Sequence, residues 1–254
     1  MKTIILCGGK GTRMKEETEF KPKPLVEIGG RPILWHIMKI YAHYGFREFI
    51  LALGYKGEMI IDYFLKHKYL LNDFTLDTGT GSVEFHDENH DNLKITFVDT
   101  GAESLTGERI MRVKKYLDGD QFMVTYGDGV SDIDIKALVD FHNKQNKIGT
   151  ISGVQLQTKY GLINVDETGL VKNFRQKPLL SDYVSGGFMV FNKKALDYIN
   201  TGWIESSLEK LADEGQLAMH KHDGFWKAVD TYNELTELNK LWEDGRPWAV
   251  WEKN

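Results

Sequence analysis

Lys2-Thr3-Ile4-Ile5-Leu6-Cys7 runs straight into Gly8-Gly9-Lys10-Gly11-Thr12-Arg13. A short apolar run closed by glycines reads as a buried strand ending in a tight turn. Three glycines let the backbone approach an anion closely with its N–H groups exposed, and Lys10 and Arg13 add positive charge. Working outward, strands and helices alternate. Pro32 suits the first turn of a helix from Arg31 to about Tyr44, with Gly45 just past its end. Glu48–Leu53 reads as a second buried strand and Gly57–Leu70 as a helix. Phe74–Leu76, Ser82–His86 and Leu93–Val98, punctuated by Gly79 and Gly81, look like an antiparallel ribbon. Thr106 is a cap for a helix through Tyr116, Gln121–Tyr126 is a third buried strand, and Asp134–Asn143 is helical. Gly149–Gln155 is a strand, Gly161–Val165 and Leu170–Phe174 form a hairpin, and Val184–Phe191 is a further strand. Two helices and a final strand near Phe225–Val229 precede a C-terminal helix, Asn233–Glu243.

This alternation predicts an α/β protein whose mostly parallel sheet is covered by helices on both faces, with a small antiparallel ribbon added. Such sheets bind ligands at the carboxyl ends of their strands, so chemistry is expected after Cys7, after Tyr126 and near Asp230. Without an internal repeat or a linker, residues 1–254 read as one domain. A chain of 254 residues buries about three quarters of its unfolded surface and needs no covalent staples. Cys7 is the single cysteine, which excludes a disulfide framework or a cysteine-based zinc site. The net charge of −5 argues against a nucleic-acid partner. No apolar run reaches the ~18 residues of a membrane span, and Ile4-Ile5-Leu6 is too short for a signal-peptide core; a cytoplasmic location is expected.

Two well-known glycine loops do not fit. No G-x-x-x-x-G-K-[ST] spacing occurs, and a dinucleotide fingerprint would need a third glycine where Met14 stands. Met123-Val124-Thr125-Tyr126-Gly127-Asp128-Gly129 places a carboxylate at a strand end between glycines, suited to a metal or a ribose; alone, it reads equally as a turn aspartate. Asp230 is the same kind of residue from the far end of the chain. Two such carboxylates beside a phosphate-cradling loop suggest Mg²⁺, which takes one or two carboxylates plus substrate oxygens.

Taken together, these stretches resemble the sugar-phosphate nucleotidyltransferases. Gly8–Met14 with Pro22-Lys23-Pro24-Leu25 resembles the N-terminal signature of that superfamily. Gly54–Gly57, Val98–Arg109, Tyr126–Ile135 and Gly224–Thr231 look like its glucose-1-phosphate cytidylyltransferase branch. The resemblance runs from Met1 to about Trp251 and implies a Rossmann-like sheet, Mg²⁺ as cofactor and a homo-oligomer. It implies transfer of a cytidylyl group from CTP to a sugar 1-phosphate, usually α-D-glucose 1-phosphate, giving a CDP-sugar for surface polysaccharides. Carried over by position, Leu6, Cys7, Gly8, Gly9, Lys10, Gly11 and Thr12 would wrap the base and triphosphate. Arg13 and Lys23 would neutralise charge as pyrophosphate departs. Ser104, Thr106 and Arg109 would face the pyrimidine or ribose, and Gly127 would lie beneath the nucleotide. Asp128 and Asp230 would hold Mg²⁺. Gln176, Lys177, Ser185, Gly186 and Gly187 would receive the sugar phosphate.

The chain departs from the family at Gln176, usually Glu, and at Ser185, usually Asn. These changes raise the expectation that glucose 1-phosphate is a weaker acceptor or gives way to another phosphate. UTP or dTTP in place of CTP, and a regulatory nucleotide-binding protein without turnover, are the other readings. Elsewhere, His86–Asp91 reads as a polar hairpin tip, His220 and His222 as surface residues, and Cys7 as a packing residue. Asp132 and Asp134 would start a helix. Trp226, Trp242, Trp248 and Trp251 suggest a buried subunit interface in preference to single-chain core.

Overall fold

The computed structural model describes residues 1–11, 14, 19–86 and 91–252, so Thr12 and Arg13 lie outside the described residues, as does most of the His86–Asp91 segment. β1 (Lys2–Cys7) is followed by a two-residue pair, β2 (Glu27–Ile28) and β3 (Arg31–Pro32), then α1 (Ile33–His43), β4 (Glu48–Leu53) and α2 (Gly57–Leu71). The ribbon β5 (Phe74–Leu76) and β6 (Val83–Phe85) leads to β7 (Lys94–Asp99), α3 (Thr106–Val113), β8 (Gln121–Tyr126), β9 (Gly129–Ser131) and α4 (Ile135–Gln145). The second half holds β10 (Gly149–Gln157), the hairpin β11 (Leu162–Val165) and β12 (Val171–Arg175), and β13 (Leu179–Asn192). After these come α5 (Ile204–Asp213), β14 (Leu217–His222), β15 (Trp226–Ala228) and α6 (Tyr232–Glu243).

The main sheet has seven strands in the order β14-β10-β13-β8-β1-β4-β7. Every neighbouring pair is parallel except those made by β13, which runs against both β8 and β10. Both faces are buried, which explains why the strands read as unbroken apolar runs. Ile5, Cys7, Leu51 and Met123 enter one core with α1 and α6, while Ile4, Leu6, Ile50 and Val124 enter the other with α3 and α5.

Four expectations are corrected. Lys94–Asp99 is not a third ribbon strand but the sheet edge, parallel to β4; a half-exposed edge strand alternates just as a ribbon does. Between β13 and β15 there is one α-helix, α5, with a short 3-10 helix at Lys193–Asp197 before it, and Leu217–His222 is a strand beside β10. His220 and His222 are not surface residues: the His222 Nε2 lies 3.1 Å from Ser131 Oγ, Asp132 Oδ1 and the Phe225 carbonyl, and the His220 ring packs edge-on against Phe141. Asp134 does cap α4, accepting from Ala137 N at 2.8 Å, but Asp132 instead accepts from Phe225 N at 2.7 Å.

The tryptophans expected at a buried subunit interface pack in and against the core of this chain. Trp248 is fully buried, and its indole donates to His36 Nδ1 at 3.3 Å, while Trp242 and Trp251 pack their rings against His36. His36 Nε2 faces the Ile28 carbonyl at 2.9 Å, so the ring is neutral with its proton on Nε2. Burial pushes this imidazole down to about 4 from 6.5, against the pull of its backbone hydrogen bonds. The unfolded chain therefore takes up a proton below pH 6.5 that the folded chain refuses until about pH 4. Stability from this group is complete above pH 6.5 and falls by roughly 3 kcal/mol as the pH drops to 4. Urea unfolding between pH 7 and 4.5 should show this slope in the wild type and lose it in His36→Gln; equal slopes would remove His36 as the cause.

Candidate active site

The sheet delivers its chemistry at the carboxyl ends of β1, β4 and β8. A cleft of about 280 Å³ opens there, lined by Leu6–Lys10, Lys23, Pro24, Ala102–Ser104, Thr106, Arg109, Tyr126–Asp128 and Trp203. Of the nucleotide residues expected from sequence, Leu6, Cys7, Gly8, Gly9, Lys10, Ser104, Thr106, Arg109 and Gly127 line this cleft, whereas Gly11 does not and Thr12 lies outside the described residues. Gly127 N donates to the Leu6 carbonyl at 3.2 Å, fastening the two strand-end turns to each other. Burial pushes the Cys7 thiol well up, overriding the nearby Arg109 charge, so Cys7 is a neutral packing group. At the cleft mouth the Lys10 ammonium meets the Glu103 carboxylate at 2.6 Å.

Arg109 is almost fully buried. Nη1 donates to the Leu53 carbonyl, Thr100 Oγ1 and the Gly101 carbonyl at 2.7–3.0 Å, and Nη2 to the carbonyls of Gly8 and Ala102 at 3.1 and 3.3 Å. One guanidinium thereby joins the ends of β1, β4 and β7. Gly8 and Gly54 are glycines for this reason, since a Cβ on either would run into the guanidinium. Thr106 does not cap its own helix; its Oγ1 accepts from Ile204 N at 2.8 Å, at the start of α5.

Lys23 sits between the two carboxylates. Its Nζ lies 2.7 Å from both Asp128 Oδ2 and Asp230 Oδ1. Burial alone would lower the Lys23 pKa, but the Asp128 charge and the bonds to both carboxylates outweigh it and raise the value. Asp230 does not come from the main sheet. β15 pairs antiparallel with β9, Val229 N donates to the Asp128 carbonyl at 2.8 Å, and the next residue falls beside Lys23. The Glu234 carboxylate, part of the α6 capping box, accepts from Asp230 N at 2.9 Å and fixes the loop.

On the far side of Tyr126 and Asp128, a recess of about 50 Å³ is lined by Ser185, Gly186, Gly187 and Trp226. The reversed direction of β13 makes this possible, because pairing of Phe188 with Thr125 lays its middle residues alongside the β8 terminus. Gly187 adopts φ +80° against the Tyr126 ring, and Trp226 Nε1 donates to the Gly186 carbonyl at 2.7 Å. Gln176 and Lys177 line neither space; both are exposed at the end of β12, where Lys177 has φ +46°. Tyr126, Trp203 and Trp226 were not singled out as site residues from sequence. Tyr126 and Trp226 lie inside quoted motifs without being assigned a site role, and no local pattern marks Trp203.

Among the described residues no cluster of three or more His, Cys, Asp or Glu could hold a metal. The donor set nonetheless suits magnesium: two half-exposed carboxylates converge on one cation and leave its other side to the cleft.

Sheet and cleft define an α/β protein that handles a phosphorylated nucleotide. The sequence profile of the nucleotidyl transferase family matches residues 2–251, and the chain belongs to that family. It is 45% identical over 256 residues to the Bacillus subtilis protein named "Probable glucose-1-phosphate cytidylyltransferase", covering 99% of this chain and all of that one. It is 42% identical over 258 residues to the glucose-1-phosphate cytidylyltransferase of Salmonella typhi, with the same coverage. In fold it matches HddC from Yersinia pseudotuberculosis with a TM-score of 0.69 at 24% identity, over 94% of this chain and 98% of that one. The enzyme is a nucleotidyltransferase.

Proposed function

We propose that this enzyme transfers the cytidylyl group of CTP to a sugar 1-phosphate, with α-D-glucose 1-phosphate the acceptor its relatives name. The observation that carries the reading is Lys23 held between Asp128 and Asp230, with Asp128 lining both the cleft and the recess. One oxygen of the sugar phosphate attacks the α-phosphorus of CTP; that P–O bond forms as the bond to the β-phosphate oxygen breaks, and pyrophosphate leaves with the electron pair. The attacking phosphate is already ionised at pH 7, so no general base is needed. Two anions must meet, and positioning and charge stabilisation carry such a transfer. Backbone amides of the Gly8–Gly11 turn, together with Lys10, Lys23 and Arg13, supply positive charge. Asp128 and Asp230 would hold Mg²⁺, which when bound neutralises phosphate oxygens. Arg109 serves by fixing the cleft wall through its carbonyl contacts. A single domain, a cytoplasmic location, a homo-oligomer and a product destined for surface polysaccharide belong to the same reading.

Pyrophosphate release from a matrix of nucleoside triphosphates against sugar 1-phosphates tests it. CTP should be best, and no release with any sugar phosphate would remove the proposal. The acceptor side carries its own prediction. Ser185 lines the recess, and a site built around one hydroxyl discriminates by orders of magnitude. Ser185→Asn, which restores the residue usual in the family, should therefore raise kcat/KM for glucose 1-phosphate about tenfold, whereas Gln176→Glu, outside the recess, should leave it unchanged. An unchanged value in Ser185→Asn would free that position of any part in acceptor choice.

A further inference from the structure

Trp203 is 55% exposed and lines the nucleotide cleft. Its ring stacks on no other aromatic ring among the described residues. Its backbone, by contrast, is held on both sides. Gly107 N donates to the Gly202 carbonyl at 2.9 Å, Gly202 N donates to Asn200 Oδ1 at 2.7 Å, and Ile204 N donates to Thr106 Oγ1 at 2.8 Å. Gly107 permits this approach, since a Cβ there would come within 2.5 Å of the Asn200 carbonyl oxygen. Two residues further on, Glu205 accepts the Tyr126 hydroxyl. A large apolar ring is thus kept in water on a fixed mount at the lip of the cleft, where burying it would be favourable. Fixing it beforehand removes most of the ordering cost of a contact.

We propose that the Trp203 indole is the aromatic wall on which the pyrimidine of the bound nucleotide stacks. This rests on the cytidylyl reading above. The anionic end of the ligand is claimed by Lys23 and the glycine turn, and an indole offers a π-face rather than an anion site. The acceptor recess has its own tryptophan, Trp226, and Trp203 is absent from its lining. Trp203 is fastened to the Thr106–Gly107 end of α3, beside Ser104 on the nucleotide side.

The test is a CTP titration with Mg²⁺ and no acceptor, followed by tryptophan fluorescence and then by steady-state kinetics. Wild-type emission should be quenched by CTP. Trp203→Phe should lose most of that quench and keep Kd within about threefold, because a phenyl ring still stacks. Trp203→Ala, a change at an exposed position, should raise Kd and KM for CTP about tenfold. Its kcat and acceptor KM should stay within about twofold, as for an interaction equal in ground and transition states. Kd for UTP should rise in the same proportion, since stacking does not read base edges. Unchanged CTP binding in Trp203→Ala, or a rise confined to the acceptor KM, overturns the proposal. Wild type that binds CTP but releases no pyrophosphate with any sugar phosphate sinks the cytidylyl reading and leaves the stacking result standing on the binding data. Wild type that binds no CTP sinks both.

Discussion

Asp128→Asn is expected to lower kcat about a thousandfold, a barrier increase of ~4 kcal/mol, with the fold intact. Asp230→Asn should do the same. A neutral amide cannot hold Mg²⁺ against pyrophosphate, and each carboxylate also pairs with Lys23 at 2.7 Å. Removing one leaves the ammonium a single partner, but the side chains are 33% and 40% exposed, so water replaces the lost contact and stability changes little. Pyrophosphate release across a Mg²⁺ titration, with thermal melting as the control, checks both variants. Near-normal turnover in either would end the assignment of that carboxylate to the metal.

Arg109→Lys is expected to cost about 2–4 kcal/mol of stability and to lower Tm by roughly 5–10 °C. Five acceptors converge on the guanidinium, and lysine has three donors without the planar fork, so buried carbonyls are left unsatisfied. Gly8→Ala attacks the same joint from the other side, because its Cβ would occupy the guanidinium's place. The two changes share one contact and should be strongly non-additive. If they add within about 0.5 kcal/mol, the clamp is not a unit. Activity should fall in both variants through loss of cleft shape, and a rise in CTP KM would report it.

The cores of the strands and helices were legible because both sheet faces are dry: Lys2–Cys7, Glu48–Leu53 and Gln121–Tyr126 are short apolar runs closed by turns, and each forms a strand with those bounds. The glycine turn and Asp128 were legible for the same reason, being strand ends. Edge strands were not. Lys94–Asp99 alternates like a ribbon, and Leu217–His222 is half polar with two histidines, so only pairing reveals what they are. The site residues missed from sequence share one cause. Gly202 and Ile204, which flank Trp203, meet Gly107 and Thr106 across about a hundred residues of chain, and the β13 reversal that creates the recess is a matter of direction, which composition does not encode. Arg109 lines the cleft as expected, but the five protein acceptors gathered around its guanidinium are visible only in the fold.

The pairing of β9 with β15 has a consequence for synthesis. Asp128 is made midway through translation, whereas Asp230 follows after nine-tenths of the 254 residues. Until Val229 N reaches the Asp128 carbonyl, a nascent chain holding the glycine turn, Lys23 and Asp128 has only one of the two carboxylates proposed to hold Mg²⁺. Contacts this distant in sequence form late because loop closure must come first. On that reading the growing polypeptide carries a nucleotide cradle that cannot turn over, and competence arrives in one step when the last tenth of the chain docks.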